Sequence, residues 1–169
     1  SYAMLNKVQQ ALKEDQRLSD YRILAHGQDG SRTSLLEALQ DGGKTVLLGA
    51  NSFWEGVDVK GASLRTVVIT KLPFTPPTMP VESARNDLLK NQGKNAFAAN
   101  SLPQAVLRFR QGCGRLIRSA SDRGCIIILD NRVLTKSYGR TFLNSLPEQP
   151  VWTDSVANLA RKLKDWQGS

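Results

Sequence analysis

Four short apolar runs alternate with helical stretches along the chain, and this alternation constrains the fold more than any other feature. The runs predict strands at 21–27, 45–50, 65–72 and 124–130, and the last is apolar enough to be central. Strands that alternate with helices favour an α/β fold, a doubly wound, mainly parallel sheet with helices on both faces. In such sheets function gathers at the C-terminal ends of the strands, here the loops after TVLLGA and VVITK.

Helical spacing of apolar residues predicts helices before, between and after these strands. The first helix covers YAMLNKVQQALKED, and its inward stripe comprises Met4, Leu5, Val8, Ala11 and Leu12. The second passes through 35–39, with Ser31 or Thr33 as its N-cap. The tail helix is capped by Thr153 or Asp154, and its inward stripe comprises Val156, Leu159, Leu163 and Trp166.

The length suits one domain with a single core, and we assign it residues 1–169. The least regular part lies near 73–101, where we expect an excursion from the sheet with one or two helices. Cys113 and Cys125 are too few for a disulfide framework or a metal cluster, so we expect reduced, partly buried thiols. No apolar run approaches the roughly 20 residues that span a bilayer. These features indicate a cytoplasmic protein without a membrane partner.

The chain is basic, with 23 Lys and Arg against 15 Asp and Glu and a formal net charge of +8. Such an excess favours a polyanionic partner, either nucleic acid or nucleotide phosphate.

The stretch ALQDGGKT, 38–45, loosely matches a nucleotide-binding P-loop. A P-loop needs a strand first and then a helix whose N–H groups meet the phosphates. Here the helix through 35–39 comes first and the strand TVLLGA follows, which is typical of a helix C-cap and a turn. Lys44 is therefore predicted to be a solvated loop lysine, and a self-contained P-loop enzyme is the weakest alternative.

The loop GANSFWEGVDVKG, 49–61, follows a predicted strand and carries Glu55 and Asp58 on either side of Gly56. It fits a carboxylate loop that serves a nucleotide or nucleic acid, and equally a glycine-rich turn with solvated acids. Nearby aromatic residues can stack on bases or pack in the core: Phe53, Trp54 and Phe74. His26 ends a strand and is predicted to be structural.

A second informative stretch, QAVLRFRQGCGRLIRSASDRG, covers 104–124. The residues 101–104, SLPQ, predict a capping box at the start of a helix. Gln111, Arg115 and Arg118 then lie four and three residues apart on one helical face, and Arg108 lies one turn earlier. Glutamine with two arginines suits a phosphate, since guanidinium forks stay charged and bind bidentately. A solvated basic face is the alternative.

In combination and order, these motifs resemble the second motor domain of superfamily 2 helicases, in the DinG branch of the XPD-like DNA helicases. The matching stretches are SY at 1–2 (motif IV), SFWEGVDVKG (motif V), LPFTPP, and QGCGRLIRS with DRG and ILDNR (motif VI and beyond). The resemblance covers almost the whole chain. It implies a RecA-like, P-loop NTPase-like C-terminal domain that closes over ATP held by a partner domain.

The resemblance also implies roles for individual residues. Arg115 and Arg118 match the catalytic arginine fingers, and the residues matched to ATP binding are Gln111, Glu55, Gly56 and Asp58. The residues matched to DNA binding are Ser1, Tyr2 and Ser52.

The implied partners are single-stranded DNA and an N-terminal motor domain of the same parent chain. That domain is expected to supply most ligands of ATP and Mg²⁺, including the true P-loop, and no iron–sulfur cluster is expected in this fragment. Lys60 departs from the pattern, since relatives often have proline there. A basic α/β module that binds nucleic acid without catalysis remains the alternative.

Overall fold

The structure, a computed structural model, describes residues 2–50, 53, 64–114, 116, 124–148 and 150–167. Residues 166 and 167 are described without their side chains. Its strands are β1 (Arg22–Ala25), β2 (Thr45–Leu48), β3 (Thr66–Ile69) and β4 (Cys125–Ile128). Its helices are α1 (Tyr2–Glu14), α2 (Arg32–Gln40), α3 (Pro80–Asn91), α4 (Leu102–Cys113), α5 (Arg132–Thr135), α6 (Gly139–Leu143) and α7 (Val156–Gln167). The predicted alternation of strands and helices is confirmed.

Parallel pairing joins the strands. β1 pairs with β2 in the register Arg22 to Thr45, and β3 pairs with β4 in the register Thr66 to Cys125. Within the described ranges these are two separate parallel pairs. In these ranges β4 pairs with β3, and the residues of β4 are half-buried. The expected central position of β4 in the sheet is therefore not seen. An apolar run reports hydrophobicity, and it does not fix how many neighbours a strand has.

The larger hydrophobic cluster packs β3 and β4 against α4, α5 and α6. Its members with almost no exposed surface are Ala105, Phe109 and Phe142. Cys113 belongs to the same cluster, and burial raises the pKa of its thiol to about 12. Cys113 and Cys125 are both free thiols, which confirms the prediction.

The face of α1 that packs on β1 differs in two positions from the predicted stripe. Leu5 is buried as expected, but Ala11 is exposed and Gln9 is buried instead. Gln9 donates hydrogen bonds to the carbonyl of Ile23, at 3.3 Å, and to the carboxylate of Asp29. A glutamine can occupy the buried face because its amide finds these partners.

The predicted start of α4 is also revised. The capping box at α4 is wrong: Ser101 makes no side-chain cap, and its hydroxyl donates to Glu82 Oε1 at 3.2 Å. A π-helical turn, Phe97–Ser101, runs directly into α4, so Ser101 already has helical backbone angles. In contrast, Ser31 caps α2 as predicted, accepting from the Ser34 amide at 3.2 Å.

The tail helix α7 is present, but its predicted inward stripe is only partly observed. Leu159 and Leu163 are half-buried, whereas Val156 is 73% exposed. Ser155 Oγ accepts from the Asn158 amide at 3.4 Å, which shifts the cap one residue beyond the two predicted candidates. The side chain of Trp166 lies outside the description. None of the helices in the described residues is both long enough and apolar enough to span a membrane.

Candidate functional site

Most of the residues predicted for the site lie outside the described part of the chain: Ser1, Ser52, Glu55, Gly56, Asp58, Arg115 and Arg118. Trp54 and Lys60 also lie outside it. Tyr2 and Gln111 are described, and both are exposed. The geometry of the site therefore comes from the residues that flank these segments, at the carboxyl ends of the strands.

Phe53 anchors the start of the loop that follows β2. It is only 8% exposed and packs with Leu35, so the core interpretation is confirmed over base stacking. Arg32 Nη2 donates to the Phe53 carbonyl at 2.7 Å, and the guanidinium lies 5.6 Å from the ring centroid. A side chain at Gly49 would come within 3.0 Å of the Phe53 ring, which explains a glycine at the end of this strand.

Tyr2 and His26 lie together beside this anchor. Tyr2 is 52% exposed, and its ring centroid is 6.4 Å from that of His26, which in turn lies 4.9 Å from that of Phe53. His26 packs among rings as a structural residue would. Its Nδ1 is nevertheless buried without a hydrogen-bond partner among the described residues.

Asp130 joins the carboxyl ends of β3 and β4. Its carboxylate is buried and accepts a hydrogen bond from the Leu72 amide at 2.8 Å. Arg132 donates to the same carboxylate from its backbone amide at 3.1 Å, from Nε at 3.0 Å and from Nη2 at 2.6 Å. These donors, led by the Arg132 side chain, lower the pKa of Asp130 to about 2, although burial opposes the shift.

Phe74 continues the same assembly on the segment that leaves β3. The Arg132 guanidinium lies 5.5 Å from its ring centroid, and further ring contacts join it to Phe97, Tyr138 and Phe142. These contacts indicate that Phe74 packs within the domain. Beside it, Arg108 Nη1 of α4 donates to Thr75 Oγ1 at 2.7 Å.

Gln111 lies on the exposed side of the last turn of α4. The next two residues, Gly112 and Cys113, are buried against the core, and the helix ends at Cys113. Arg108 lies three residues before Gln111, so the two occupy adjacent turns of one face. Whether Arg115 and Arg118 continue that face stays a prediction.

The GGKT stretch has the helix-turn-strand order expected from the sequence. It links the end of α2 to β2, and Gly42 has a left-handed φ of 77°, as a helix terminator does. Lys44 Nζ lies 3.3 Å from Asp20 Oδ2 with its side chain 60% exposed. The interpretation of Lys44 as a solvated loop lysine is confirmed.

The sequence contains one signal whose structural role its motif does not reveal. The Asp-x-Arg spacing at 130–132 is part of the ILDNR string, and in the structure Asp130 and Arg132 form a clamp between two strand ends. In the described part of the chain, no three His, Cys, Asp or Glu residues are grouped closely enough to bind a metal ion.

Comparison with known proteins places the chain in a family. A family model of the helicase C-terminal domain matches residues 1–149. The 3′-5′ exonuclease DinG of Bacillus subtilis is 49% identical over 158 residues, which are 92% of this chain and 17% of that protein. The ATP-dependent DNA helicase YoaA of Escherichia coli is 41% identical over 163 residues, which are 96% of this chain and 25% of that protein.

Among solved structures, an XPD helicase superposes with a TM-score of 0.55 at 17% identity, over 89% of this chain and 32% of that one. This likeness concerns the fold. The chain spans a quarter or less of the length of the two relatives above. The chain thus belongs to the helicase C-terminal domain family and has the RecA-like fold expected of it.

Proposed function

We propose that this chain is the second motor domain of an ATP-dependent DNA helicase, whose motif V and VI residues sense ATP and couple its hydrolysis to movement along single-stranded DNA. The observation that carries the proposal is the family match over 1–149, which spans both motif-bearing segments. Relatives named as ATP-dependent DNA helicases support the activity.

The geometry supports a division of labour between segments. Phe53 and the Asp130 clamp anchor the chain at the carboxyl ends of the two strand pairs, where function gathers in α/β folds. Gln111 is exposed where α4 ends, directly before the segment that carries Arg115 and Arg118. These three residues are proposed to face a triphosphate held by the N-terminal motor domain, with the arginines as fingers.

Phosphoryl transfer requires positioning and charge stabilisation more than covalent help from the protein. An arginine supplied by a second domain acts only when the cleft between the domains closes. Hydrolysis is then tied to domain motion, and motion to a step along the DNA. Glu55, Gly56 and Asp58 are proposed to link the nucleotide to the DNA track, and Mg²⁺ is expected to bind with ATP.

The DNA side of the proposal rests on charge and exposure. The chain has a formal net charge of +8, which favours a nucleic-acid backbone. Tyr2 presents half of its surface to solvent, and its ring lies beside that of His26, the residue that follows β1. Ser1, Tyr2 and Ser52 are proposed to contact the single strand.

The test is DNA-stimulated ATP hydrolysis and strand separation by the full-length protein, compared with the 169-residue chain alone. We expect hydrolysis by the full-length protein and none above background by the chain. A full-length protein that binds single-stranded DNA but never hydrolyses ATP would instead support a basic nucleic-acid-binding module. Hydrolysis by a clean preparation of the chain alone would contradict the two-domain proposal.

A further inference from the structure

Asp130 connects two parts of the chain that are distant in sequence. The Leu72 amide, 58 positions away, donates to Asp130 Oδ2 at 2.8 Å, and both residues are buried. The bond lies just beyond the last ladder contact of the pair, in which the Leu129 amide donates to the Ile69 carbonyl at 2.9 Å. The carboxylate therefore extends the β3–β4 pairing past the strand ends, into the segment that leaves β3.

The chain contains an internal comparison for this arrangement. Asp15 and Arg17 repeat the same local geometry: the Arg17 amide lies 3.0 Å from Asp15 Oδ1, and Nη2 lies 2.6 Å from Oδ2. Every hydrogen bond that the Asp15 carboxylate accepts from the described residues comes from Arg17. Its side chain is 26% exposed, against 7% for Asp130. The local motif is thus common to both sites, and the long-range bond to Leu72 is particular to Asp130.

The segment that leaves β3 connects the Asp130–Leu72 hydrogen bond to α4 through a series of contacts. The Phe74 amide donates to the Leu72 carbonyl at 2.8 Å, and the Phe74 ring lies beneath the Arg132 guanidinium. The next residue, Thr75, accepts from Arg108 of α4 at 2.7 Å. Contacts therefore run without a gap from Asp130 and Arg132, through Leu72–Thr75, to the helix face that bears Gln111.

Chemistry performed directly by Asp130 is disfavoured by its surroundings. Both carboxylate oxygens already accept hydrogen bonds from Arg132, and Oδ2 also accepts from Leu72. No group of metal-ligating residues accompanies it in the described part of the chain. Its contacts are those of a residue that holds other residues in place.

We propose that Asp130 and Arg132 are positioning residues of the motor, which hold Leu72–Thr75 against α4 and so orient the end of that helix. The proposal rests on the proposed function, because the helix end that Asp130 and Arg132 support carries Gln111, which is proposed to face the nucleotide. Misplacement of a reacting group by about 1 Å can lower a rate about a hundredfold, so a rigid support for this face affects turnover.

The experiment compares Asp130→Asn, Arg132→Lys and the matched control Asp15→Asn in the full-length protein. Hydrogen exchange reports on peptides that cover 72–75 and α4. Steady-state kinetics with saturating single-stranded DNA give kcat and the KM for ATP. We expect faster exchange in both peptides for the clamp variants and a fall in kcat of about ten- to a hundredfold. The KM for ATP and the nucleotide-free DNA affinity should stay within about twofold of the wild-type values.

A second variant tests the path through Thr75. Thr75→Val removes the hydroxyl that Arg108 bonds while keeping the shape of the side chain. If the clamp acts through this contact, the effects of Asp130→Asn and Thr75→Val on kcat will be less than additive in the double variant. Additive effects would overturn the proposed path.

The outcomes separate this inference from the proposed function. Unchanged exchange in α4 for Asp130→Asn would overturn the inference, and wild-type exchange in Arg132→Lys would remove Arg132 from it. A non-hydrolysable ATP analogue counts the nucleotide-binding sites in each variant. If kcat falls only in proportion to a loss of these sites, the clamp has a structural role only. A wild-type protein without DNA-stimulated ATP hydrolysis would contradict the proposed function, while exchange would still show whether Asp130 holds α4.

Discussion

Arg22 and Thr45 are joined by a hydrogen bond of 3.2 Å from Nε to Oγ1, and Arg22 Nη2 also donates to the Ala38 carbonyl at 2.6 Å. A side chain at Gly43 would come within 3.1 Å of the same guanidinium. The GGKT turn is therefore braced by an arginine of the neighbouring strand. In a P-loop, the threonine of this turn, Thr45, would bind Mg²⁺ and the lysine, Lys44, would bind phosphate.

Lys44→Ala is expected to leave ATP hydrolysis by the full-length protein nearly unchanged. Lys44 forms an exposed ion pair with Asp20, and such pairs contribute about 0–1 kcal/mol. The measurement is the DNA-stimulated ATPase rate, with circular dichroism to verify the fold. A collapse of turnover in a folded variant would mean that Lys44 contacts a nucleotide.

Arg115→Ala and Arg118→Ala are expected to lower turnover strongly while nucleotide-free binding to single-stranded DNA survives. Loss of an arginine finger costs roughly 10³ to 10⁵ in turnover in GTPases, and a pair of arginines can share the loss. Lysine at either position should restore little activity, since it lacks the planar fork.

The matched control is Arg17→Ala, whose side chain is 87% exposed and pairs with Asp15. ATPase rate, DNA affinity and melting temperature are measured together for each variant. Normal turnover in both alanine variants would leave a solvated basic face. Lost turnover with a large drop in melting temperature would make the arginines structural.

Phe109→Ala is expected to destabilise the 169-residue chain by about 3–5 kcal/mol, the usual cost of removing a buried phenylalanine. Phe109 is 1% exposed, and its ring contacts that of Phe142 edge-on with centroids 5.3 Å apart. Leu107→Ala on the same helix is the control, since Leu107 is 50% exposed. Urea unfolding gives both free energies, and equal losses would contradict the assigned core.

The stability of the chain is expected to fall as pH drops from about 4 towards 2, and Asp130→Asn should flatten this dependence. The pKa of Asp130 is lowered from 3.8 to about 2, chiefly by Arg132. A lowered carboxyl pKa contributes stability that is complete above pH 3.8 and is lost as pH falls through 2. The measurement is the unfolding free energy as a function of pH.

Asp15→Asn is the control for this dependence. Arg17 likewise lowers the pKa of Asp15 to about 2, but that partner is two residues away and the unfolded chain can retain part of the interaction. We expect Asp15→Asn to change the slope of the unfolding free energy against pH less than Asp130→Asn does. Equal slopes in the wild type and Asp130→Asn would show that the buried carboxylate adds no acid sensitivity.

Binding of single-stranded DNA to this chain is expected to be weak, insensitive to sequence and strongly dependent on salt. Cationic side chains that neutralise phosphates release counterions, so affinity should fall at least about tenfold between about 50 and 200 mM salt. Fluorescence anisotropy with two unrelated oligonucleotides measures both properties. Binding that ignores salt and discriminates between the oligonucleotides would support a sequence-reading module.

Local patterns predicted a large part of this structure. The four strands, the helices α1, α2 and α7 and the cap at Ser31 all follow from residues within a few positions of one another. The order of helix, turn and strand also excluded the P-loop at GGKT without any tertiary information. The family, too, could be recognised from the motif strings, because their residues are close in sequence.

Tertiary structure alone decided which polar residues are buried and what they hold. The bond between Leu72 and Asp130 joins residues 58 positions apart, and no periodicity or spacing specifies such a partner. Asp15-Gln16-Arg17 and Asp130-Asn-Arg132 have the same local geometry, yet one lies at the surface and the other joins two strand ends. Sequence determines the local hydrogen bonds because neighbours are always within reach, whereas packing determines which distant donor meets the carboxylate.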